Sequence, residues 1–92
     1  PVVVNCTGYG ACALMRDDSV VPVRGQIGWL PPQPEVDYGL FYRRVSIVAR
    51  NDGIVVQDVG PSEMFGYGID AETPDRGEAE AAVRTMAELF AA

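Results

Sequence analysis

The chain of 92 residues contains no histidine and no lysine. Those two absences remove most self-sufficient catalytic machinery. They exclude a Ser-His-Asp or Cys-His set, histidine metal ligands, a Schiff-base lysine and the lysine of a phosphate-binding P-loop. Cysteine occurs only twice. Cys6 and Cys12 have five residues between them, which matches neither a redox C-x-x-C nor a zinc knuckle, so they read as reduced thiols at small core positions. No apolar run approaches the roughly 20 residues a membrane-spanning helix needs. No signal-peptide pattern precedes the first apolar run either; the expected setting is the cytoplasm, without a membrane partner. Positive charge is scarce, with seven arginines against thirteen Asp and Glu and a net charge of −6. Arg43-Arg44 is the only adjacent basic pair. A surface that tracks phosphates needs a basic patch, so nucleic acid is not an expected partner.

What is present describes an ordinary globular piece. The hydrophobic fraction is 48% and the charged fraction 22%, values typical of folded domains. The length allows one small domain at most. Val2-Val3-Val4 opens the sequence as a β-branched run that suits a strand buried on both faces. Asn5 to Gly8 turn the chain, and Ala11 to Met15 fit a short helical turn. Val20 to Leu30 reads as a strand with Ile27 and Trp29 on one face, ended by Pro31-Pro32-Gln33-Pro34. Tyr38 to Tyr42 adds a short strand. Val45 to Arg50 and Gly53 to Gln57 flank Asn51-Asp52-Gly53, a corner able to supply the left-handed conformations of a tight hairpin. Asp58 to Tyr67, rich in glycine and proline, reads as loop.

A helix closes the chain. Thr73 fits its N-cap, Pro74 its first position, and Asp75 and Glu78 complement its dipole. Ala79, Val83, Met86 and Phe90 recur at helical spacing and mark the expected buried face. Phe90-Ala91-Ala92 brings no C-cap residue, which suggests truncation or a further tail. The fold class expected from these elements is α+β.

One segment resembles a nucleotide fingerprint. Gly8-Tyr9-Gly10-Ala11-Cys12-Ala13 follows the valine run as G-x-G-x-x-A, where glycines would let a pyrophosphate approach a helix N-terminus. The helix after it is only about a turn long, and no second parallel strand ending in an acid follows at the usual interval. A first βαβ unit, and with it a nicotinamide-dependent enzyme, is therefore the poorest reading.

The longer pattern is more specific. Val4-Asn5-Cys6-Thr7-Gly8, an alanine-rich stretch, and then Pro22-Val23-Arg24-Gly25-Gln26 resembles the D-amino-acid oxidase family of FAD-dependent oxidoreductases. The resemblance covers residues 2 to 60 well and the final helix loosely. It implies that residues 1–23 end a Rossmann-like FAD-binding domain, as a strand, a Thr-Gly turn and a short helical turn. Residues 24–92 would then belong to a substrate domain of antiparallel strands, a hairpin and a helix. Thr7 and Gly8 would touch FAD through hydroxyl and backbone, and Arg24-Gly25-Gln26 would mark the structural crossover between domains.

The sequence also departs from the family pattern. The glycine fingerprint that holds the FAD diphosphate and the arginine motif that binds the substrate carboxylate are both absent from these 92 residues. Family members that oxidise amino acids place a tyrosine just before the hairpin; Ser46 stands near that position, and Tyr42 is the nearest aromatic candidate for substrate contact. The implied activity is oxidation of a C–N bond in an amine or amino acid by hydride transfer to flavin, in a longer parent protein. No residue of the segment itself is expected to be catalytic, and none to bind metal. The competing reading is a small acidic, non-catalytic binding or interaction module. A piece that shares its core with other polypeptide would also expose apolar surface and self-associate.

Overall fold

The computed structural model describes residues 1–91. Four strands form one antiparallel sheet: β1 (Gly28–Leu30), β2 (Gly39–Tyr42), β3 (Val45–Arg50) and β4 (Gly53–Asp58). Their order across the sheet is β1-β4-β3-β2. A 3-10 turn (Gly8–Gly10) leads into a short helix, α1 (Ala11–Met15), and a long helix, α2 (Arg76–Phe90), follows the strands. The α+β class is as expected, and so is the central hairpin.

The period-2 alternation of β3 and β4 builds the core. Val45 and Ile47 on β3, with Ile54 and Val56 on β4, point to one face and are buried there against Ala82 and Met86 of α2. Register pairs Ile47 with Val56 and Val48 with Val55. One face of the sheet is therefore covered by α2, while the other carries Trp29, Phe41 and Val48 half-exposed or more. An antiparallel sheet tolerates this one-sided cover.

Both hairpins use two-residue connections. Arg43-Arg44 joins β2 to β3, with Arg43 in the left-handed region at φ 55°. At the Asn51-Asp52 corner the expectation needs correction. Neither Asn51 nor Asp52 is left-handed; the unusual angle falls on Gly53, at φ 157°. The need for glycine there comes from packing as well as from backbone angle. A Cβ on Gly53 would lie 2.5 Å from Trp29 Nε1 and 2.7 Å from the Leu30 carbonyl oxygen. Trp29 thus sits over the corner, with the Arg50 guanidinium 5.4 Å from its ring centre.

Helix α2 begins later than expected. Its N-cap is Asp75, whose carboxylate accepts from the Glu78 backbone N–H at 3.0 Å. Thr73 and Pro74 precede the cap. Asp75 to Glu78 is a D-x-x-E pattern, and the short acidic side chain wins the cap because it reaches the N3 amide. On the buried face Met86 holds as expected, joined by Ala82, while Val83 is partly buried and Phe90 is 61% exposed. Phe90 lies one turn beyond Met86 and lines an open cleft between α2 and the sheet, which leaves it exposed. The expectation about truncation rests partly on Ala92, which lies outside the described residues.

The N-terminal expectations change most. Val2-Val3-Val4 forms no strand and is 76–92% exposed. A strand needs a ladder partner and cover on its faces, and nothing within these residues provides either. The strand expected over Val20 to Leu30 is ordered as one only from Gly28, with Val23 making a single bridge to Tyr67. Cys6 is exposed and Cys12 partly buried, both free, so Cys6 is not the core residue expected. The resulting molecule is open. Its surface is 7051 Å², against about 5,200 Å² for a compact folded chain of this mass. Its radius of gyration is 16.3 Å, against about 12 Å for a compact chain of this length.

Two substitutions test the corner and the cap by urea denaturation. Gly53→Ala should lower the unfolding free energy by about 1–3 kcal/mol, the usual cost of forcing atoms into filled space. Asp75→Ala should cost about 1 kcal/mol. An unchanged midpoint for Gly53→Ala would show that Trp29 does not close over the corner.

Candidate functional site

Thr7 and Gly8 lie on the exposed N-terminal arm, where local polar groups fix the turn. The Asn5 side-chain oxygen accepts from the Thr7 backbone N–H at 3.1 Å and from the Thr7 hydroxyl at 2.6 Å. This side-chain turn sets up the 3-10 segment, in which Gly10 N–H donates to the Thr7 carbonyl at 2.9 Å. Gly8 is left-handed at φ 55°, and the space a Cβ would occupy is empty. Glycine is required there by conformation, since a left-handed turn costs other residues strain. Beside the turn is an open hollow of about 400 Å³ lined by Tyr9, Gly10, Cys12 and Arg16 among others.

Tyr42 ends β2 on the covered face of the sheet, packed against the core cluster, with the Arg43 guanidinium 5.2 Å from its ring centre. Arg43 also pairs with Glu88 of α2 at 2.9 Å, tying the β2–β3 connection to the helix. The structure does not bring Tyr42 together with the Thr7–Gly8 turn. The 3-10 turn and α1 pack on each other and on none of the strands or α2. Ser46, nearer to the family's tyrosine position, is half-buried on the opposite face of β3 from Val45 and Ile47.

A largely apolar concave feature involves neither site. A cleft of about 490 Å³ opens between the covered sheet face and α2, walled by Leu30, Val36, Ile54, Val83 and Met86, with Gln33 and Tyr38 among the polar groups around it. Its lining is mostly apolar, with Glu35 as its one charged residue. It could hold an apolar group but offers no chemistry on one. Among the described residues no cluster of His, Cys, Asp or Glu could hold a metal, and no helix is long and apolar enough to cross a membrane.

The Arg24-Gly25-Gln26 segment fastens the approach to β1 onto the start of α2. Arg24 N–H donates to the Gly66 carbonyl at 3.0 Å, and its guanidinium reaches the Thr73 carbonyl at 3.4 Å. Gln26 Oε1 accepts from the Asp75 backbone N–H at 3.0 Å. These contacts fasten the segment within this chain, and their distant partners could not be read from spacing. The cap at Asp75 was legible in the D-x-x-E signature.

Perturbed acidities lie away from both candidate sites. The Ser19 hydroxyl and backbone N–H, donating to Asp17 at 2.5 and 3.0 Å, hold that carboxyl below its ordinary value. On α2 the Arg76 guanidinium donates to Glu80 at 2.6 Å and holds that carboxyl below its ordinary pKa, by hydrogen bonding first and charge second. These are solvent-exposed capping and i,i+4 interactions of a structural kind.

Comparison with known proteins gives two short matches. The chain is 38% identical over 56 residues to a D-amino acid oxidase of the planarian Dugesia ryukyuensis, which covers 61% of this chain and 17% of that protein. It is 67% identical over 27 residues to a D-amino-acid oxidase of Streptomyces coelicolor, covering 29% of this chain and 8% of that protein. The matched stretches thus span less than a fifth of the length of these relatives. No protein-family model matches it, and no solved structure does.

The Arg76–Glu80 pair predicts a titration. A carboxyl depressed in the folded state contributes stability above its unfolded value and loses it as pH falls through the folded one. Side-chain carboxyl NMR should find Glu80 titrating below the ordinary glutamate range, and Arg76→Gln should move it back toward that range. Coincident titration of Glu80 in both proteins would show that the pair does not persist in solution.

Proposed function

We propose that this chain is a segment of a flavin-dependent oxidoreductase of the D-amino-acid oxidase kind, acting in its full-length parent on a C–N bond of an amine or amino acid. The observation that carries the reading is the pairing of Val4-Asn5-Cys6-Thr7-Gly8 with Pro22-Val23-Arg24-Gly25-Gln26. The 38% identity over 56 residues to the planarian enzyme supports it. The open form of the molecule supports it as well, because a segment that normally shares its core with other polypeptide leaves apolar surface bare.

In this reading residues 1–23 close the FAD-binding domain and residues 24–92 belong to the substrate domain. The residues near Thr7 fit a flavin edge. The Thr7 hydroxyl is exposed, the Gly8 backbone is unobstructed, and the adjacent hollow carries Tyr9 and Arg16. Thr7 and Gly8 would hold the cofactor by hydroxyl and backbone contacts, and Asn5 would orient the Thr7 hydroxyl. FAD, when bound, supplies the acceptor for hydride leaving the carbon attached to nitrogen. Tyr42 would contribute to the substrate side as part of the sheet. The chain's own residues orient and exclude water; none is placed to take a proton from substrate.

The apolar cleft beside α2 favours a second reading, a small acidic binding module without catalysis. The two readings separate on the longest polypeptide encoded around these residues. Purified, it should be yellow, release FAD on denaturation and bleach anaerobically with a D-amino acid. Thr7→Val should reduce retained flavin. A colourless polypeptide with no glycine fingerprint ahead of Val2 would refute the flavoenzyme reading. The 92-residue chain alone should self-associate, read as a concentration-dependent mass by light scattering; a monodisperse monomer at all concentrations would contradict the shared-core argument.

A further inference from the structure

Asp52-Gly53 is the one place in the chain where an aspartate or asparagine precedes a glycine. An aspartyl carboxyl lies within reach of the backbone nitrogen of the next residue, and ring closure between them gives a cyclic imide, a succinimide. Glycine puts no Cβ beside that nitrogen and leaves the backbone free to turn towards the carboxyl. The pair stands at the two-residue corner between β3 and β4, with Asp52 exposed and Gly53 buried.

One side chain governs this corner. The Arg50 guanidinium holds both carboxylate oxygens of Asp52, Nε on Oδ1 at 3.0 Å and a terminal nitrogen on Oδ2 at 3.2 Å. The same guanidinium lies 5.4 Å from the Trp29 ring centre, and Trp29 closes over Gly53. Gly53 is in turn the ladder partner of Arg50. While these contacts stand, the carboxylate is engaged by the guanidinium and Gly53 is fixed in the ladder. The clamp is nevertheless weak. Both side chains are more than half exposed, and an ion pair of that kind contributes little and is screened by salt. A corner held this way opens locally without the sheet unfolding.

We propose that Asp52-Gly53 is a site of spontaneous backbone isomerisation, gated by Arg50. When the clamp opens, the Gly53 nitrogen attacks Cγ of the protonated Asp52 carboxyl. The new N–C bond forms as one carboxyl oxygen leaves as water, carrying the N–H proton and the carboxyl proton. Water then adds back to the succinimide. Addition at the side-chain carbonyl restores aspartate. Addition at the main-chain carbonyl leaves the chain running through the Asp52 side chain, as isoaspartate of unchanged mass. No oxidant or other reactant is needed. The product carries an additional carbon in the main chain of a two-residue connection, so Arg50 and Gly53 no longer meet in register and Trp29 loses its seat. The strands joined there carry Val45, Ile47, Ile54 and Val56 of the core, so the modification loosens the hairpin from its closed end.

The test incubates the purified chain in neutral buffer at body temperature. Isoaspartate is followed with protein isoaspartyl methyltransferase and labelled S-adenosylmethionine, and placed by electron-transfer fragmentation of peptides. It should accumulate at Asp52 ahead of every other aspartate. Asp52→Glu keeps the charge but would need a larger ring, and should abolish the signal. Arg50→Gln should raise the rate several-fold while the emission of Trp29, the sole tryptophan, stays native. Added sodium chloride should accelerate the wild-type chain and leave Arg50→Gln unchanged, because the clamp is what salt screens. Isoaspartate absent from Asp52, or spread evenly over the aspartates, would overturn the proposal. An unchanged rate in Arg50→Gln, or a salt acceleration that persists in it, would overturn the gate. Should Arg50→Gln lose native emission, the wild-type salt series decides alone, and a rate indifferent to salt refutes gating by Arg50.

Discussion

Contact between one helical stripe and one hairpin face holds the ordered part of this molecule. Val45, Ile47, Ile54 and Val56 can be buried only because Ala82 and Met86 lie across them. A two-stranded hairpin by itself is marginal in water, and a 15-residue helix gains most of its stability from a packed face. Each element therefore depends on the other, and the polar fastenings act to hold the two in place. Gln26 reaches the first turn of α2 through Asp75, and Arg43 reaches its last turn through Glu88. Neither contact is strong. Both lie at the ends of the helix, where small rotations would open the core most.

The same core explains what was legible in the sequence. Alternation at Val45 to Arg50 and Gly53 to Gln57 reports a half-buried strand pair directly, because the partner is next in sequence and the burial is one-sided. Met86 was legible for the corresponding reason in a helix. What failed depended on distant or missing neighbours. Val2 to Val4 carry the composition of a buried strand, but composition cannot supply the ladder that makes one. Thr73 has a good capping side chain, yet Asp75 caps through its own carboxylate on the Glu78 amide, while Gln26, 49 residues away in sequence, meets its backbone. Asn51-Asp52-Gly53 signals a turn correctly. The residue that must be glycine is set by Trp29 lying over it, which no local pattern states.

Site residues were less legible than fold. Thr7, Gly8 and Tyr42 came from resemblance, and within this chain they occupy separate regions: a locally fixed turn on an exposed arm and the end of a strand in the core. Such a separation is natural if the chemistry assembles between parts of a longer polypeptide. Arg24 stands out as a lone arginine between Val23 and Gly25, but its reach to Gly66 and Thr73 is a tertiary fact.

The division of labour along the chain follows from where free energy is available. Residues 28–90 contain the alternation and the amphipathic stripe, so they can bury apolar area against one another and need no outside support to define a sheet. Residues 1–21 hold valines without strand partners and glycines whose main property is backbone freedom, as at Gly8. A segment of that composition cannot offset its own ordering entropy through a core, and its conformation here is set by short-range polar bonds such as those from Asn5. Its side chains and backbone are correspondingly accessible. The part of the chain that contributes least to stability is the part whose residues most resemble a cofactor contact, and that arrangement suits a binding turn whose remaining walls come from elsewhere in a protein.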